Sequence, residues 1–267
     1  MAAEIGAFEN GRRGLVAALQ FLTRLPTPQL ADFSPDDAKR AVPWYPVVGA
    51  IVGSCVGCSI FALGAAAPLT AAPFISATVG LIVWVWLTGA LHLDGLGDVA
   101  DGLGAAHRDP TRFLQVAREP HAGSFAMIAI GLVLIAKFAL LIGLWLTVTT
   151  SAQGGMILVG TLALVAAWAR FGPLVWRVLV PPLGDGRGAA FHRETRQPWR
   201  AIAVNGSLLS LLSLWLAPWL LVALVLLPLI ALYWRHRLGG MSGDCHGASI
   251  EVTEVALLCA VVTGGTG

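Results

Sequence analysis

Leu91–Gly102, LHLDGLGDVADG, sets Asp94, Asp98 and Asp101 within eight residues, directly after an uncharged apolar run that contains Trp84 and Trp86. On a helix advancing about 100° per residue, positions i, i+4 and i+7 fall within an arc of roughly 60°, so the three carboxylates share one face. Three like charges on one face repel unless a divalent ion neutralises them, and hard oxygen ligands suit Mg²⁺ or Mn²⁺. Gly95, Gly97, Gly102 and Gly104 weaken such a helix and are read as letting a diphosphate approach its backbone. A merely solvated acidic helix end is the plainer alternative, and the crowding of three aspartates argues against it.

The surroundings of this stretch decide the fold class. The 267-residue chain is 57% hydrophobic and 12% charged, with a mean hydropathy of +0.77. A soluble domain would expose too much apolar surface at that composition. The expectation is an all-α integral membrane protein. A net charge of +2 with no basic tract gives no reason to expect a nucleic-acid partner.

A bilayer core takes roughly 20 apolar residues per helix, and Val47–Ala66, Phe74–Leu93, Phe125–Val148, Met156–Val180 and Ser249–Val262 supply them. Residues 201–234 carry no charge and contain Pro218 and Pro228, too long for one span. Loop charge resolves this stretch, because cytoplasmic loops gather Lys and Arg. Residues 67–73 and 149–155 are uncharged. Arg12, Arg13, Arg24, Lys39 and Arg40 precede the first span; Arg108, Arg112 and Arg118 follow the second; Arg187, Arg193, Arg196 and Arg200 follow the fourth. Arg235 and Arg237 join the same side only if residues 201–234 turn near Ala217-Pro218. Seven spans are therefore predicted, amino terminus inside and carboxyl terminus outside. They form a single membrane-embedded catalytic domain over 1–267, in which 1–46 is an interfacial cytoplasmic segment and 47–267 a transmembrane bundle.

Gly14–Leu22 is too short for a secretory signal and lacks a small-residue cleavage site. Leu15, Leu19, Leu22 and Leu25 instead trace one face of an amino-terminal interfacial helix. Cys55-x-x-Cys58 sits among Gly49, Gly53 and Gly57, the small-residue spacing of close helix packing. With Cys245 and Cys259 elsewhere, neither a disulfide framework nor a zinc site is supported.

A second acidic group, Asp244, Glu251 and Glu254, lies at i, i+7 and i+10, an arc of roughly 80° on one helix. The predicted topology puts it on the same membrane face as the first, so that six of the fifteen acidic residues gather at two helix ends. Intramembrane carboxylates are costly and default to functional roles. Between the groups, Arg118-Glu119-Pro120-His121-Ala122-Gly123-Ser124 precedes a span, whose first backbone N–H groups and Ser124 suit a phosphate or simply a helix cap. Lys137, Arg170 and Arg177 fall within spans and face a cavity or an acidic partner, Arg177 being close enough to the edge to snorkel.

These residues together resemble the cobalamin synthase family, the adenosylcobinamide-GDP ribazoletransferases. The resemblance rests on Phe21-Leu22-Thr23-Arg24-Leu25-Pro26; on Pro46, Gly49 and Gly53; and on His92-x-Asp94-Gly95-Leu96-x-Asp98-x-x-Asp101-Gly102. It extends to Glu119–Phe125 and to Gly239-Gly240-x-Ser242-Gly243-Asp244-x-x-Gly247-Ala248-x-x-Glu251. The chain departs from the family pattern at Ala117-Arg118-Glu119, where Met-x-Asp is usual, at Ser242 for Thr, and at His246 for an aliphatic residue. Asp98-x-x-Asp101-Gly102-x-x-Ala105 also resembles the opening of the CDP-alcohol phosphotransferase motif, an analogy of chemistry only.

The resemblance implies a multi-pass enzyme of the cell inner membrane, surrounded by lipid, with its active site facing the cytoplasm. It joins adenosylcobinamide-GDP to α-ribazole or α-ribazole 5′-phosphate, releases GMP and depends on Mg²⁺; homo-oligomer formation is left open. A hydroxyl attacking a diphosphate needs charge neutralised on both phosphates, which metal held by carboxylates supplies. Asp94, Asp98, Asp101, Asp244 and Glu251 are the expected metal ligands, with Glu254 a weaker candidate. Asp101, Asp244 and Glu251 are the expected catalytic groups, Glu251 as the proton acceptor. Arg118, His121, Ser124, Arg170 and His92 are expected to bind substrate, with His92 also orienting Asp94. The rival reading is a transporter whose path is lined by Lys137 and Arg170. Against it, the acids crowd at one face and the chain has no internal repeat.

Overall fold

In lipid, backbone N–H and C=O groups find no water, so uncharged apolar stretches become helices that satisfy their own ladders. The computed structural model describes residues 2–30, 32–68, 70–106, 109–148, 153–184 and 198–264. It is built from α1 (Ala2–Leu22), α2 (Pro35–Ala41), α3 (Tyr45–Ala66), α4 (Ala72–Thr88), α5 (Leu91–Ala106), α6 (Pro110–Val116), α7 (Ser124–Val148) and α8 (Gly154–Leu179), followed by α9 (Pro198–Leu216), α10 (Ala223–Arg237) and α11 (Gly243–Gly264). No strand occurs among the described residues. Among the described residues six helical stretches are long and apolar enough to cross a bilayer, or seven if the bent pair α4 and α5 counts as one span. Arg108, Arg187, Arg193 and Arg196, part of the charge asymmetry used above, lie outside the described residues.

The 201–234 stretch divides as expected: α9 ends at Leu216, Ala217 leaves helical geometry, and Pro218 opens a 3₁₀ turn that feeds α10. The second span needs correction. Its helix stops at Thr88 instead of Leu93, because Gly89 (φ +60°) and Ala90 (φ +59°) both adopt the left-handed conformation. The chain turns by 85° there, so the acidic segment forms a separate helix lying across the end of the bundle. The Leu-Thr-Arg-Leu-Pro segment braces this corner. The Arg24 backbone N–H donates to the Leu87 carbonyl at 2.7 Å, and the Arg24 side chain fills the space that a Cβ on Gly89 would need.

α8 is the central helix. Gly49, Gly53 and Gly57 of α3 lie directly on its backbone, and a Cβ on Gly57 would sit 2.7 Å from Val159 Cα. The glycines of the Cys-containing stretch thus serve packing, while Cys55 and Cys58 are exposed free thiols. On its other sides α8 donates from Trp168 Nε1 to Ser213 Oγ of α9 and from Trp176 Nε1 to the Leu227 carbonyl of α10, both at 2.9 Å. At the amino-terminal end, Arg13 of α1 forks onto the buried carboxylate of Asp37 in α2 at 3.0 and 2.9 Å. Ala17, Ala18 and Leu22 bury α1 against the bundle.

The α3–α8 contact gives a matched test. A methyl at Gly53 collides with the Leu162 backbone, whereas one at Gly131 meets nothing within 4 Å. Gly53→Ala is expected to lower the melting temperature in detergent by the equivalent of about 1–3 kcal/mol. Gly131→Ala is expected to raise stability by up to about 1 kcal/mol through helix propensity alone.

Candidate active site

Two of the acidic motifs meet because both helices carry glycine at the contact. A Cβ on Gly95 of α5 would stand 3.1 Å from Asp244 Cα, and one on Gly247 of α11 would stand 3.4 Å from His92 Cα. The glycines of the aspartate motif are consumed by such contacts: Gly97 lies on Ala126 and Ile130 of α7, Gly102 on Phe113, and Gly104 on Phe125. They admit neighbouring helices, which replaces the expectation that they admit a diphosphate.

The result is an open row of carboxylates. Asp94 is exposed, Asp98 is half-buried within electrostatic reach of Asp94, Asp244 and Asp101, and Asp244 is half-buried beside Asp94 and Arg118. Ser242 begins α11: its Oγ accepts from the Cys245 N–H at 3.2 Å and lies 3.5 Å from Asp244 Oδ2. The hydroxyl that the usual Thr would provide is therefore retained. Arg118, Glu119, His121 and Ser124 are exposed around the α6–α7 connection. Among the described residues no three acidic, His or Cys side chains close into a ready-made metal cage. Mg²⁺ usually takes one or two carboxylates together with water and phosphate oxygens, so the donor set suits that ion when a diphosphate is present.

Asp101, expected as a metal ligand and catalytic group, is hydrogen-bonded to main-chain N–H groups. Its Oδ2 accepts from the Gly123 N–H at 2.6 Å and its Oδ1 from the Ala126 N–H at 3.0 Å. It thereby caps the start of α7 from another helix, offsetting the positive end of the α7 dipole. Of the N–H groups at the start of α7, which suit a phosphate or a helix cap, those of Gly123 and Ala126 are held by this carboxylate, as in the cap.

Glu251, expected as a metal ligand and proton acceptor, sits apart from the aspartate row and pairs with Lys137. It lies seven residues beyond Asp244, about 10 Å deeper along the helix, and is 3% exposed. There Lys137 Nζ of α7 donates to Glu251 Oε2 at 2.6 Å and also to Glu254, while Arg170 Nη1 of α8 donates to Glu254 Oε1 at 2.7 Å. Two cations and two anions thus balance in a fully buried layer beneath the aspartates. Lys137 also lies 4.7 Å from the centre of the Trp84 ring, adding a cation–π contact from α4. Lys137 and Arg170 have the acidic partners their positions demanded, and Arg170, expected to bind substrate, is fully buried against Glu254. His92 is buried with neither ring nitrogen hydrogen-bonded, so it does not hold Asp94 by a hydrogen bond. His246 stacks on Trp176 with ring centres 5.8 Å apart.

Such a molecule is a polytopic helical membrane protein presenting a row of aspartates at one end, seated on a charge-neutral buried layer. The chain belongs to the cobalamin-5-phosphate synthase family, which it matches over residues 14–262. It is similar to the adenosylcobinamide-GDP ribazoletransferase of Laribacter hongkongensis, 48% identical over 254 residues that cover 94% of this chain and 96% of that one. The proteins of the same name from Thiobacillus denitrificans and Novosphingobium aromaticivorans are 42% and 43% identical, covering 92% and 95% of this chain and 93% and 97% of theirs. No solved structure matches the chain.

Removing one member of the buried layer strands a charge. Glu254→Gln is expected to destabilise the protein by about 3–5 kcal/mol, read as a lower melting temperature in detergent. Combining it with Arg170→Gln is expected to recover part of that loss, because the remaining Lys137–Glu251 pair is neutral.

Proposed function

We propose that this chain is an adenosylcobinamide-GDP ribazoletransferase whose reaction takes place along the α5–α11 edge and depends on Mg²⁺. The family match over nearly the whole chain supports the activity, and the contact of Gly95 with the Asp244 backbone is the observation that carries the site. A hydroxyl of the α-ribazole or α-ribazole 5′-phosphate sugar attacks the phosphorus on the cobinamide side of the diphosphate. A new P–O bond forms as the bond to GMP breaks, and GMP leaves with the bonding electrons. Asp244, kept in place by Ser242 and by the backbone of α5, accepts the hydroxyl proton. Glu251, assigned that role from sequence, is committed to Lys137 instead.

Asp94 and Asp98 are the residues that would hold Mg²⁺, which when bound neutralises the diphosphate oxygens. Arg118, His121 and Ser124 surround the same edge and bind phosphate oxygens from its open side. The excess of Arg and Lys before α3 and between α5 and α7 supports an orientation with this edge toward the cytoplasm, at the inner membrane. A transport path through the bundle is disfavoured by the same geometry, since Lys137 and Arg170 are neutralised by Glu251 and Glu254.

The test is GMP release from adenosylcobinamide-GDP by the purified protein in detergent. Chelation of Mg²⁺ should abolish turnover and its return restore it. Asp98→Asn should reduce turnover roughly a hundredfold or more while leaving the melting temperature near that of the wild type. Undiminished turnover in that variant would remove Asp98 from the site.

A further inference from the structure

Behind the aspartate row lies a cavity of about 260 Å³ between α1, α3, α5, α8 and α11, reached past Asp94 and Asp244. Its walls are largely apolar, with Phe21, Leu22, Val42 and Ile250 among them. Two of the side chains lining it are polar, buried and without a hydrogen-bond partner. Tyr45 is 4% exposed with its hydroxyl unmatched, and His92 is 3% exposed with both ring nitrogens unmatched. An unmatched buried donor or acceptor is costly, and such costs are tolerated where a ligand supplies the missing partner. The Phe21 and Tyr45 rings lie almost parallel, 13° apart in plane with centres at 6.1 Å, presenting a flat aromatic wall.

We propose that this cavity is the acceptor subsite, which takes the base of the ribazole and leaves its sugar at the mouth beside Asp94 and Asp244. The proposal rests on the transferase reading above and names where one of its two substrates sits. Size removes the corrin, which far exceeds a space below the usual range of roughly 300–1,000 Å³ for ligand pockets. Guanine, which carries several donors and acceptors, is the competing occupant because Arg177 and His246 also line the cavity, and a shift in the donor KM is the result that would reveal it. The ribazole base is a flat methylated bicycle with one free ring nitrogen, an acceptor for a single donor. Tyr45 Oη or a His92 N–H provides that donor, and the sugar hydroxyls are left facing the carboxylates. A lipid tail would fit the walls but leave both polar side chains unmatched.

The experiment has two readouts on the full-length protein in detergent. The first is equilibrium binding of α-ribazole without donor or Mg²⁺; the second is the KM for each substrate in GMP release. Tyr45→Phe keeps the ring and removes the hydroxyl, and is expected to weaken α-ribazole binding and raise the acceptor KM by about fivefold to tenfold. Ile250→Trp fills the space and is expected to abolish acceptor binding, with the KM for adenosylcobinamide-GDP unmoved in Tyr45→Phe. If Ile250→Trp fails to fold, judged by its melting curve, the Tyr45→Phe result decides. Unchanged acceptor binding in a folded Ile250→Trp or in Tyr45→Phe overturns the subsite, as does a shift confined to the donor KM. Wild-type protein that binds α-ribazole yet releases no GMP would sink the transferase reading and leave the subsite standing.

Discussion

The neutral layer formed by Lys137, Arg170, Glu251 and Glu254 is the constraint on which the arrangement of this protein turns. A charge in the hydrocarbon interior is tolerated only with a partner in good geometry, and a pair missing one member is far worse than no pair. Four charges drawn from α7, α8 and α11 therefore admit essentially one relative placement of those helices. Trp84 adds α4 to the same point through the Lys137 ammonium. Apolar helices in lipid slide past one another at little cost, since tails and side chains are equally apolar. Here the layer fixes their depth and rotation.

Depth and rotation are what the aspartate row needs. Asp244 stands two turns above Glu251 on the same helix, so anchoring Glu251 sets where Asp244 emerges. Gly95 and Gly247 then let α5 approach until Asp94 and Asp98 flank it. Asp101 works from the other end of the row by fastening α5 to the first N–H groups of α7, the helix that carries Lys137. The carboxylates are thus held by backbone-to-backbone contact and by capping, with few side-chain hydrogen bonds among themselves. Such an open row suits a cation that retains water and shares phosphate oxygens. The adjoining cavity belongs to the same construction, since α5 and α11 form one of its sides.

Hydropathy was enough to read the helical class and the six to seven helices long and apolar enough to cross a bilayer. Pro218 marked the break inside 201–234 because proline cannot continue a ladder. The corner at Gly89-Ala90 was hidden, since the sequence stays free of Asp, Glu, Lys and Arg up to Leu93 and alanine rarely adopts a left-handed backbone. The α5 face was correctly read from the i, i+4, i+7 spacing. Seven residues return Glu251 to the face of Asp244 but at another depth, and depth decided its partner, Lys137. The role of Asp101 was unreadable because its partners are main-chain N–H groups 22 and 25 residues away. Lys137 and Arg170 did carry a legible signal, a cation inside a span, though not which acid each would meet. Nothing in the sequence around Tyr45 distinguished it.

The distances in sequence between the members of the buried layer bear on how the chain is made. Lys137 and Glu251 are separated by 114 residues, and Arg170 and Glu254 by 84. Helices leave the ribosome in order, so both cations enter the bilayer well before either glutamate exists. Until α11 arrives, Lys137 and Arg170 lack the acidic partners that they have in the folded bundle. The α11 segment is therefore a keystone, since it brings both glutamates to cations that were made before it.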